Sequence, residues 1–280
     1  MSIHKDGSDI ALIIPARYAS TRFPGKPLAK IAGKTMLRRV VEIAQKAQQR
    51  YPAISVAVAT EDARIKAHAD EIGVMCILTS EDCPTGSDRV LEAAAKLGDH
   101  IKFTIGLQGD APFTPFAAIE KMIALYQAAP QDTEVLTPVI RLRWTELDAL
   151  RASKTITPFS GTTAIIDRTG QALWFSKNIL PAIRKEEAMR DSDRDDGFSP
   201  VYQHLGLYGF RRDILEKFVT WPQGHYEQLE GLEQLRLLEN GVSIKTFTLD
   251  VPLGLVQAGV DSPEDVTRAE AALAQYGEVL

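Results

Sequence analysis

Apolar strand-like segments alternate with amphipathic helical segments through the first half of the chain, and this alternation constrains the fold more than any other feature. The first apolar run, Ile10–Pro15, has no charged side chain, as expected for a strand buried on both faces of a parallel sheet. Strands are predicted at 10–15, 54–59, 74–78 and 103–107, and helices at 35–49, 63–72, 88–97 and 115–128. Repeated β-α-β units predict an α/β fold with a doubly wound, mostly parallel sheet.

The alternation breaks near Val135. Strands are predicted at 135–142, 162–166, 172–176, 204–210 and 243–249, and helices at 211–218, 226–239 and 263–276. Ser87 and Ser262 are the predicted N-caps of helices 88–97 and 263–276. The highly charged segment 184–199 has no apolar period, which predicts a mobile loop or lid. We therefore expect an α/β domain of residues 1–134 and 211–280, with residues 135–210 as an inserted part.

Composition limits the class of protein. Of the 280 residues 45% are hydrophobic, which is enough for a full core, and the net charge of −5 argues against a general nucleic-acid binder. Cys76 and Cys83 have no metal-ligand spacing and indicate cytosolic thiols. No apolar run approaches the roughly 20 residues that span a bilayer, and residues 1–9 lack the apolar core of a signal peptide. We expect a cytoplasmic protein without membrane insertion.

A cationic loop follows the first strand. Arg17, Arg22 and Lys26 lie within ten residues of one another, and the prolines at 15, 24 and 27 stiffen the segment. The carboxyl ends of strands are where open α/β sheets bind ligands. The loop therefore predicts binding of a polyanion, most simply a triphosphate; the alternative is an exposed basic loop.

Two commoner nucleotide loops do not match this segment. A dinucleotide-binding loop needs three glycines, and only Gly25 is present, which disfavours a nicotinamide oxidoreductase. Gly33-Lys34-Thr35 resembles the end of a Walker A loop, but Leu28 stands where the first glycine should be. The phosphates would therefore be held largely by side chains, with Arg as a bidentate fork and Lys as a point charge.

Acidic residues at element ends are the next signal. Asp110 follows the strand at 103–107, and Asp261 precedes the last helix. A triphosphate site needs Mg²⁺, which one or two carboxylates hold together with phosphate oxygens and water. Asp110 and Asp261 are the candidate ligands; an Asx turn at Asp110 and a helix cap at Asp261 are the alternatives.

Other polar positions are less specific. The segment Thr85-Gly86-Ser87-Asp88-Arg89 could read a base edge or form an ordinary turn and cap. His204 and Tyr208 alternate on a predicted strand and would share a face, either as structural partners or as part of a polar pocket. Four polar residues share part of a predicted helix face that is usually solvated: Glu227, Glu230, Glu233 and Gln234.

Six segments in order resemble the CMP-KDO synthetases, the 3-deoxy-manno-octulosonate (KDO) cytidylyltransferases. They read PARYASTRFPGKPL from Pro15, TGSDR from Thr85, LQGD from Leu107, HLGLYG from His204, LEQLR from Leu232 and VDSPED from Val260. The resemblance covers nearly the whole chain. Sialic-acid activating enzymes share only the general form of the first loop.

The resemblance implies a fold of the nucleotide-diphospho-sugar transferase type, with a smaller inserted sugar-binding and dimerisation part. It implies Mg²⁺, CTP, an acidic 3-deoxy-ulosonic sugar and a homodimer. In the implied reaction the anomeric hydroxyl attacks the α-phosphorus and pyrophosphate leaves, giving a CMP-sugar for lipopolysaccharide or capsule biosynthesis. A sugar-1-phosphate nucleotidyltransferase and a non-catalytic nucleotide-binding relative are the alternatives.

The resemblance also assigns residues. Arg17 and Lys26 would hold the triphosphate, and Asp110 and Asp261 the metal. The nucleotide would be bound by Ala16, Arg17, Ser20, Lys26, Thr85, Gly86, Arg89 and Gln108. The sugar would be bound by Lys177, His204, Tyr208, Glu233 and Gln234.

The chain departs from the family's pattern on the sugar side. Ala111 replaces a Glu in Q-G-D-E-P, and Lys177 replaces an Arg in F-S-R-x-x-I-P. Thr162-Thr163-Ala164 stands in place of a K-x-V segment. These changes leave the nucleotide half intact and leave open whether the sugar is KDO, an amino-KDO or another 3-deoxy-ulosonic acid.

Overall fold

Strands and helices alternate in the first half of the chain as predicted. The computed structural model describes residues 8–19, 23–191, 197–251, 260 and 262–277. The strands are β1 (Ile10–Pro15), β2 (Lys30–Ile31), β3 (Lys34–Thr35), β4 (Ser55–Thr60), β5 (Cys76–Leu78), β6 (Phe103–Gly106), β7 (Val135–Arg143), β8 (Thr163–Ile166), β9 (Ala172–Ser176), β10 (Phe198–His204), β11 (Tyr208–Arg211) and β12 (Ile244–Leu249). The helices are α1 (Met36–Arg50), α2 (Ala63–Glu71), α3 (Gly86–Leu97), α4 (Phe116–Ala128), α5 (Trp144–Ile156), α6 (Glu186–Arg190), α7 (Arg212–Thr220), α8 (His225–Glu230), α9 (Gln234–Glu239) and α10 (Pro263–Tyr276).

Strand β1 is the centre of the sheet in the first of two units, which comprises Met1–Thr133, Leu207–Val219 and Gly254–Leu280. All six residues of β1 are buried, and it pairs in parallel with β4 on one side and with β6 on the other. Strand β5 continues the parallel sheet beside β4, and β11 adds an antiparallel strand beside β6. The predicted α/β fold with a mostly parallel sheet is confirmed. The parallel pairing brings the loops that follow β1, β4, β5 and β6 to one edge.

The second unit comprises Glu134–Gly206 and Thr220–Leu253 and is built on antiparallel pairs. Strand β10 pairs with β7 and β8, and β8 pairs with β9. Strand β12 runs parallel to β7, from Ile244 beside Val135 to Leu249 beside Ile140. The second unit includes residues 220–253, which the sequence predicts to belong to the α/β domain, and the first unit includes residues 207–210, which it predicts to belong to the inserted part.

Two predicted elements are each divided in the structure. The predicted strand 204–210 is wrong: β10 ends at His204 and β11 begins at Tyr208, with exposed Gly206 between them. The predicted helix 226–239 is also two helices, because Gly231 takes a left-handed conformation (φ 63°) that ends α8.

Part of the charged segment 184–199 is helical, which its composition does not indicate. Helix α6 forms because its charges pair: Glu186 accepts from Arg151 at 2.7 Å and from Arg190 at 2.6 Å. The Arg190 guanidinium also lies over the Trp144 ring, 4.6 Å from its centroid. The predicted loop is therefore wrong for Glu186–Arg190; residues 192–196 lie outside the described ones.

Helix α5 was not predicted, and the predicted N-cap of α3, Ser87, is wrong. The buried side chains of α5 have helical spacing at Trp144, Leu147 and Leu150, a signal the sequence contains. Helix α3 is capped by Thr85 and not by Ser87: the Thr85 side chain accepts from the Asp88 N–H, and the Asp88 carboxylate accepts from the Thr85 N–H. In the part of the chain that the structure describes, no helix has the length and apolar character to span a membrane.

Substitution of Gly209 by alanine should destabilise the first unit. A Cβ added there would overlap the Phe103 ring and lie 2.6 Å from the Met122 sulfur, and both side chains are buried. We expect the overpacking to lower the free energy of unfolding by about 1–3 kcal/mol, measured by urea denaturation. Gly206→Ala is the control, because no atom lies within 4 Å of its added Cβ. Equal stability of the two variants would contradict the packing of β11.

Candidate active site

An ion pair joins the loops that follow β1 and β6. The Lys26 ammonium lies 2.7 Å from Asp110 Oδ2, with 12% of the Lys26 side chain and 42% of the Asp110 side chain exposed. Lys26 begins a 3-10 turn, Lys26–Leu28, and Asp110 follows β6. The predicted cationic and acidic positions therefore lie together at the carboxyl edge of two adjacent parallel strands.

An aromatic side chain packs against the described part of the cationic loop. The Arg64 guanidinium lies 3.3 Å from the centroid of the Tyr18 ring, and Asp62 binds the same guanidinium at 2.6 Å. Gly25 donates its N–H to the Tyr18 carbonyl at 3.0 Å. An added Cβ at Gly25 would lie 3.2 Å from the Tyr18 ring. Tyr18 and Gly25 are thus packed against each other, which the alternative of an exposed basic loop does not predict.

Close backbone approach brings three loops together at this edge. A Cβ on Gly109 would lie 2.8 Å from the Pro15 carbonyl oxygen, so the loops after β1 and β6 touch only because this residue has no side chain. A Cβ on Gly86 would lie 3.6 Å from Pro15 and 3.7 Å from Gln108 Oε1. The exposed Arg17 donates to the Pro84 carbonyl at 3.4 Å. Of the candidate nucleotide residues, the structure brings together Ala16, Arg17, Lys26, Thr85, Gly86 and Gln108.

An apolar cluster packs against the same loops. It contains Ile31, Met36, Phe113, Val260, Ala269 and Ala272, with Phe23, Val266 and Leu273 packed against it. Phe23 belongs to the cationic loop, and Phe113 follows Asp110 in the β6 loop. The cluster also brings helix α10 to this edge. Ser20 and Asp261, two of the predicted site residues, lie outside the described residues.

Arg89 has a different place from the one predicted. It is buried, with 1% of its surface exposed, and its guanidinium contacts Glu61 at 2.7 Å and the Thr79 hydroxyl. Instead of presenting donors at the surface, it links the ends of β4 and β5 to helix α3. Glu61 was missed by the sequence analysis, although an acid directly after a strand is the signal that identified Asp110.

A second polar cluster lies within the second unit, around His204. Its Nε2 is 2.9 Å from the Thr137 hydroxyl, and its ring packs edge-on against Phe175 with 5.0 Å between centroids. Removal from water, the larger cause, and the charge of Lys177 together lower the pKa of His204 to about 3. His204 is therefore a neutral imidazole at physiological pH.

Lys177 follows β9 and lies close enough to His204 to influence it. Burial lowers the pKa of the Lys177 ammonium, while the carboxylate of Glu230 acts in the opposite direction. Glu230 Oε1 accepts from the Ser176 hydroxyl at 2.7 Å, and Oε2 accepts from the Lys177 N–H at 2.8 Å. The helix-face pattern predicts that Glu230 is solvated. Its carboxylate instead accepts two hydrogen bonds from the end of β9.

The remaining sugar-side candidates lie on other elements of the fold. Tyr208 begins β11 in the first unit, so it does not share a strand with His204. Gln234 is buried at the start of α9, whereas Glu233 is exposed. Their neighbour Glu227 is buried in an ion pair with Arg236 at 2.5 Å, which corrects the prediction of a solvated face.

The low pKa of His204 should make the stability of the protein fall in acid. Below its ordinary pKa of about 6.5 the unfolded chain binds a proton that the folded imidazole binds only near pH 3. The unfolded state is thus favoured as the pH falls through this window, by on the order of 1–2 kcal/mol at pH 5. Urea denaturation at pH 5 and 7.5 should show a smaller loss for His204→Gln than for the wild type, whereas the exposed His100→Gln should behave as wild type. Identical pH dependence in all three proteins would contradict the burial of His204.

Comparisons with known proteins agree with this geometry. The family model described as cytidylyltransferase matches residues 11–244. The chain is 40% identical over 272 residues to the 3-deoxy-manno-octulosonate cytidylyltransferase of Maricaulis maris (strain MCS10), covering 97% of this chain and 99% of that protein. It is 39% identical over 267 residues to a protein of the same name from Syntrophotalea carbinolica, covering 94% and 98% of the two chains.

A solved structure is also similar. The structure of CMP:2-keto-3-deoxy-manno-octonic acid synthetase complexed with CTP matches with a TM-score of 0.78 and 31% identity, covering 95% of this chain and 98% of that chain. The resemblance found in the six motifs is therefore confirmed over almost the full length. The chain is a nucleotidyltransferase that belongs to the cytidylyltransferase family and, within it, to the 3-deoxy-manno-octulosonate cytidylyltransferases.

Proposed function

We propose that this protein transfers the cytidylyl group of CTP to the anomeric hydroxyl of KDO or a close 3-deoxy-ulosonic acid. The hydroxyl oxygen forms a bond to the α-phosphorus, the bond to the pyrophosphate oxygen breaks, and the hydroxyl proton passes to solvent. The observation that carries the proposal is the Lys26–Asp110 pair at the carboxyl edge of β1 and β6. Identity to the KDO cytidylyltransferases over nearly the whole chain supports the choice of substrates.

The nucleotide half needs to position a triphosphate and neutralise its charge. Transfer of this kind depends mainly on positioning and electrostatic stabilisation, so cations matter more than a protein nucleophile. Lys26 provides a point charge, and Arg17 provides a guanidinium beside the turn at Pro84. The contacts of Lys26 with Asp110 and of Arg17 with Pro84 keep these donors at the edge before the substrate binds, which lowers the reorganisation required.

Mg²⁺ is the cofactor that we propose for this site. Within the described part of the chain, no group of three or more His, Cys, Asp or Glu side chains could hold a metal ion alone. Mg²⁺ does not require such a group, because it usually keeps waters and binds one or two carboxylates together with phosphate oxygens. The half-exposed carboxylate of Asp110 fits that role, and Asp261 is the second proposed ligand. When bound, the ion would neutralise charge on the phosphates.

The sugar side is assigned to Lys177 and His204. An acidic sugar carries a carboxylate, and Lys177 offers an ammonium that burial has partly removed from water. The neutral His204 can hydrogen-bond a hydroxyl without adding charge. We further propose a cytoplasmic homodimer that uses its second unit for dimerisation and supplies a CMP-sugar for lipopolysaccharide or capsule biosynthesis.

A product assay tests the reaction. The purified protein with CTP, Mg²⁺ and KDO should release pyrophosphate and form a product with the mass of CMP-KDO; chelation with EDTA should stop turnover, and added Mg²⁺ should restore it. Amino-KDO and sugar 1-phosphates are the comparison substrates. Turnover of sugar 1-phosphates alone would favour a sugar-1-phosphate nucleotidyltransferase, and CTP binding without turnover of any sugar would favour a non-catalytic relative.

Lys26 and Lys34 form a matched pair for testing the phosphate site. Both are lysines paired with an acid, Lys26 with Asp110 at 2.7 Å and Lys34 with Glu42 at 2.8 Å. Lys26→Ala should lower kcat/KM for CTP by roughly 100-fold, the scale observed when one charge-stabilising donor is removed. Lys34→Ala should change it less than about two-fold, because only Lys26 lies beside Asp110. If Lys34 proves critical and Lys26 dispensable, the proposed location of the phosphates beside Lys26 is wrong.

A further inference from the structure

The main chain of Lys177 is held at both of its polar groups by charged side chains. Its N–H donates to Glu230 Oε2 at 2.8 Å, and its carbonyl accepts from the Lys154 ammonium at 2.5 Å. Glu230 also accepts from the hydroxyl of the preceding residue, Ser176, at 2.7 Å. The main chain of Lys177, directly after β9, is therefore bound by a cationic side chain from α5, Lys154, and by an anionic side chain from α8, Glu230.

Lys154 ties a second segment to the same point. Its ammonium donates to the carbonyl oxygens of Ser160 at 2.5 Å and Gly161 at 3.2 Å. These residues lie between α5 and β8, so one side chain fixes the start of β8 and the end of β9 together. Movement of Lys177 would therefore break hydrogen bonds at Lys154 and at Glu230.

The charges of this cluster do not balance. Lys154 and Lys177 supply two positive charges and Glu230 supplies one negative charge, while His204 is neutral. Burial lowers the pKa of Lys154, and the charge of Lys177 lowers it further, so the two ammonium groups oppose each other. Neutral donors could tie the turn without this repulsion. In the described part of the chain, the Lys177 ammonium itself makes no hydrogen bond or ion pair. The excess positive charge favours a bound anion.

We propose that Lys154 and Glu230 are positioning residues that hold Lys177 in place to bind the carboxylate of the acidic sugar. The inference rests on the proposed function for the identity of the anion. Lys177 touches the sugar, whereas Lys154 and Glu230 act through its main chain. Because the ammonium is a point charge and not a fork, its grip on a carboxylate depends on where its backbone is fixed.

Steady-state kinetics with each substrate varied in turn provides the main test. Lys154→Met and Glu230→Gln should each raise KM for the sugar about ten-fold or more while KM for CTP stays within about two-fold, since each variant removes a charged hydrogen bond near the sugar only. Lys154→Arg keeps the charge and should recover part of the loss. Lys245→Met is the matched control, because Lys245 also donates to a main-chain carbonyl, that of Thr169. It should behave as wild type.

A second measurement does not depend on turnover. The rate at which Lys177 reacts with an acylating reagent, followed by mass spectrometry as a function of pH, reports its deprotonation. Glu230→Gln should move this profile to lower pH, because the Glu230 charge supports the protonated ammonium. The wild-type profile with added KDO should move to higher pH, because a bound carboxylate stabilises the same form.

The outcomes separate the two proposals. One outcome is that the wild type turns over no acidic sugar while Glu230→Gln still moves the acylation profile of Lys177. In that case the proposed function is wrong, but the interaction of Glu230 with Lys177 is confirmed. If Lys154→Met and Glu230→Gln leave KM for the sugar unchanged in an active enzyme, or raise both KM values equally, the positioning role is wrong. Unfolding of Lys154→Met would leave the decision to Glu230→Gln and to the acylation profile.

Discussion

The ion pair between Lys26 and Asp110 is the contact on which the nucleotide half depends. It joins the loops that follow β1 and β6, two adjacent parallel strands of one buried sheet. The strands set the distance between the loop ends, and the pair sets where the charges lie on them. Without the bound substrate the lysine and the aspartate compensate each other, so neither is an uncompensated charge in a partly buried place. A triphosphate, and the Mg²⁺ that we propose, would meet the same two groups already in position.

Close packing around this pair explains how the loops reach it. Gly109 lets the loop after β6 approach the carbonyl of Pro15, and Tyr18 is packed against Arg64 and Gly25. Phe23 packs into an apolar cluster together with Phe113, so both loops share an anchor. The site is therefore built mostly from backbone approach and apolar packing, with the charged groups placed on top. The buried Arg89 helps to fix the same edge of the sheet, because its ion pair with Glu61 links helix α3 to the end of β4.

The second unit contains both balanced and unbalanced clusters of charged side chains. Glu227 and Arg236 neutralise each other in a buried pair. On α5 and α6 the two acids Asp148 and Glu186 balance the two arginines Arg151 and Arg190. The cluster around Lys177 is the contrast, because two lysines share one glutamate and the nearby histidine is neutral. Such a cluster costs stability in the free protein. A carboxylate ligand would relieve that cost, which is consistent with an acidic sugar as the second substrate.

The sequence by itself determined the α/β class, the positions of the cationic loop and of Asp110 after two strands, and the family. Buried strands and loop motifs are recognisable because each consists of consecutive residues. It also indicated that Lys177 stands where relatives have an arginine. It did not reveal that β12 pairs with β7, that Gly231 divides a helix, that Arg89 turns inward, or that Lys154 and Glu230 both bind the main chain of Lys177. Only the tertiary structure decided these points, because each depends on contact between residues far apart in the chain, for which local periodicity carries no information.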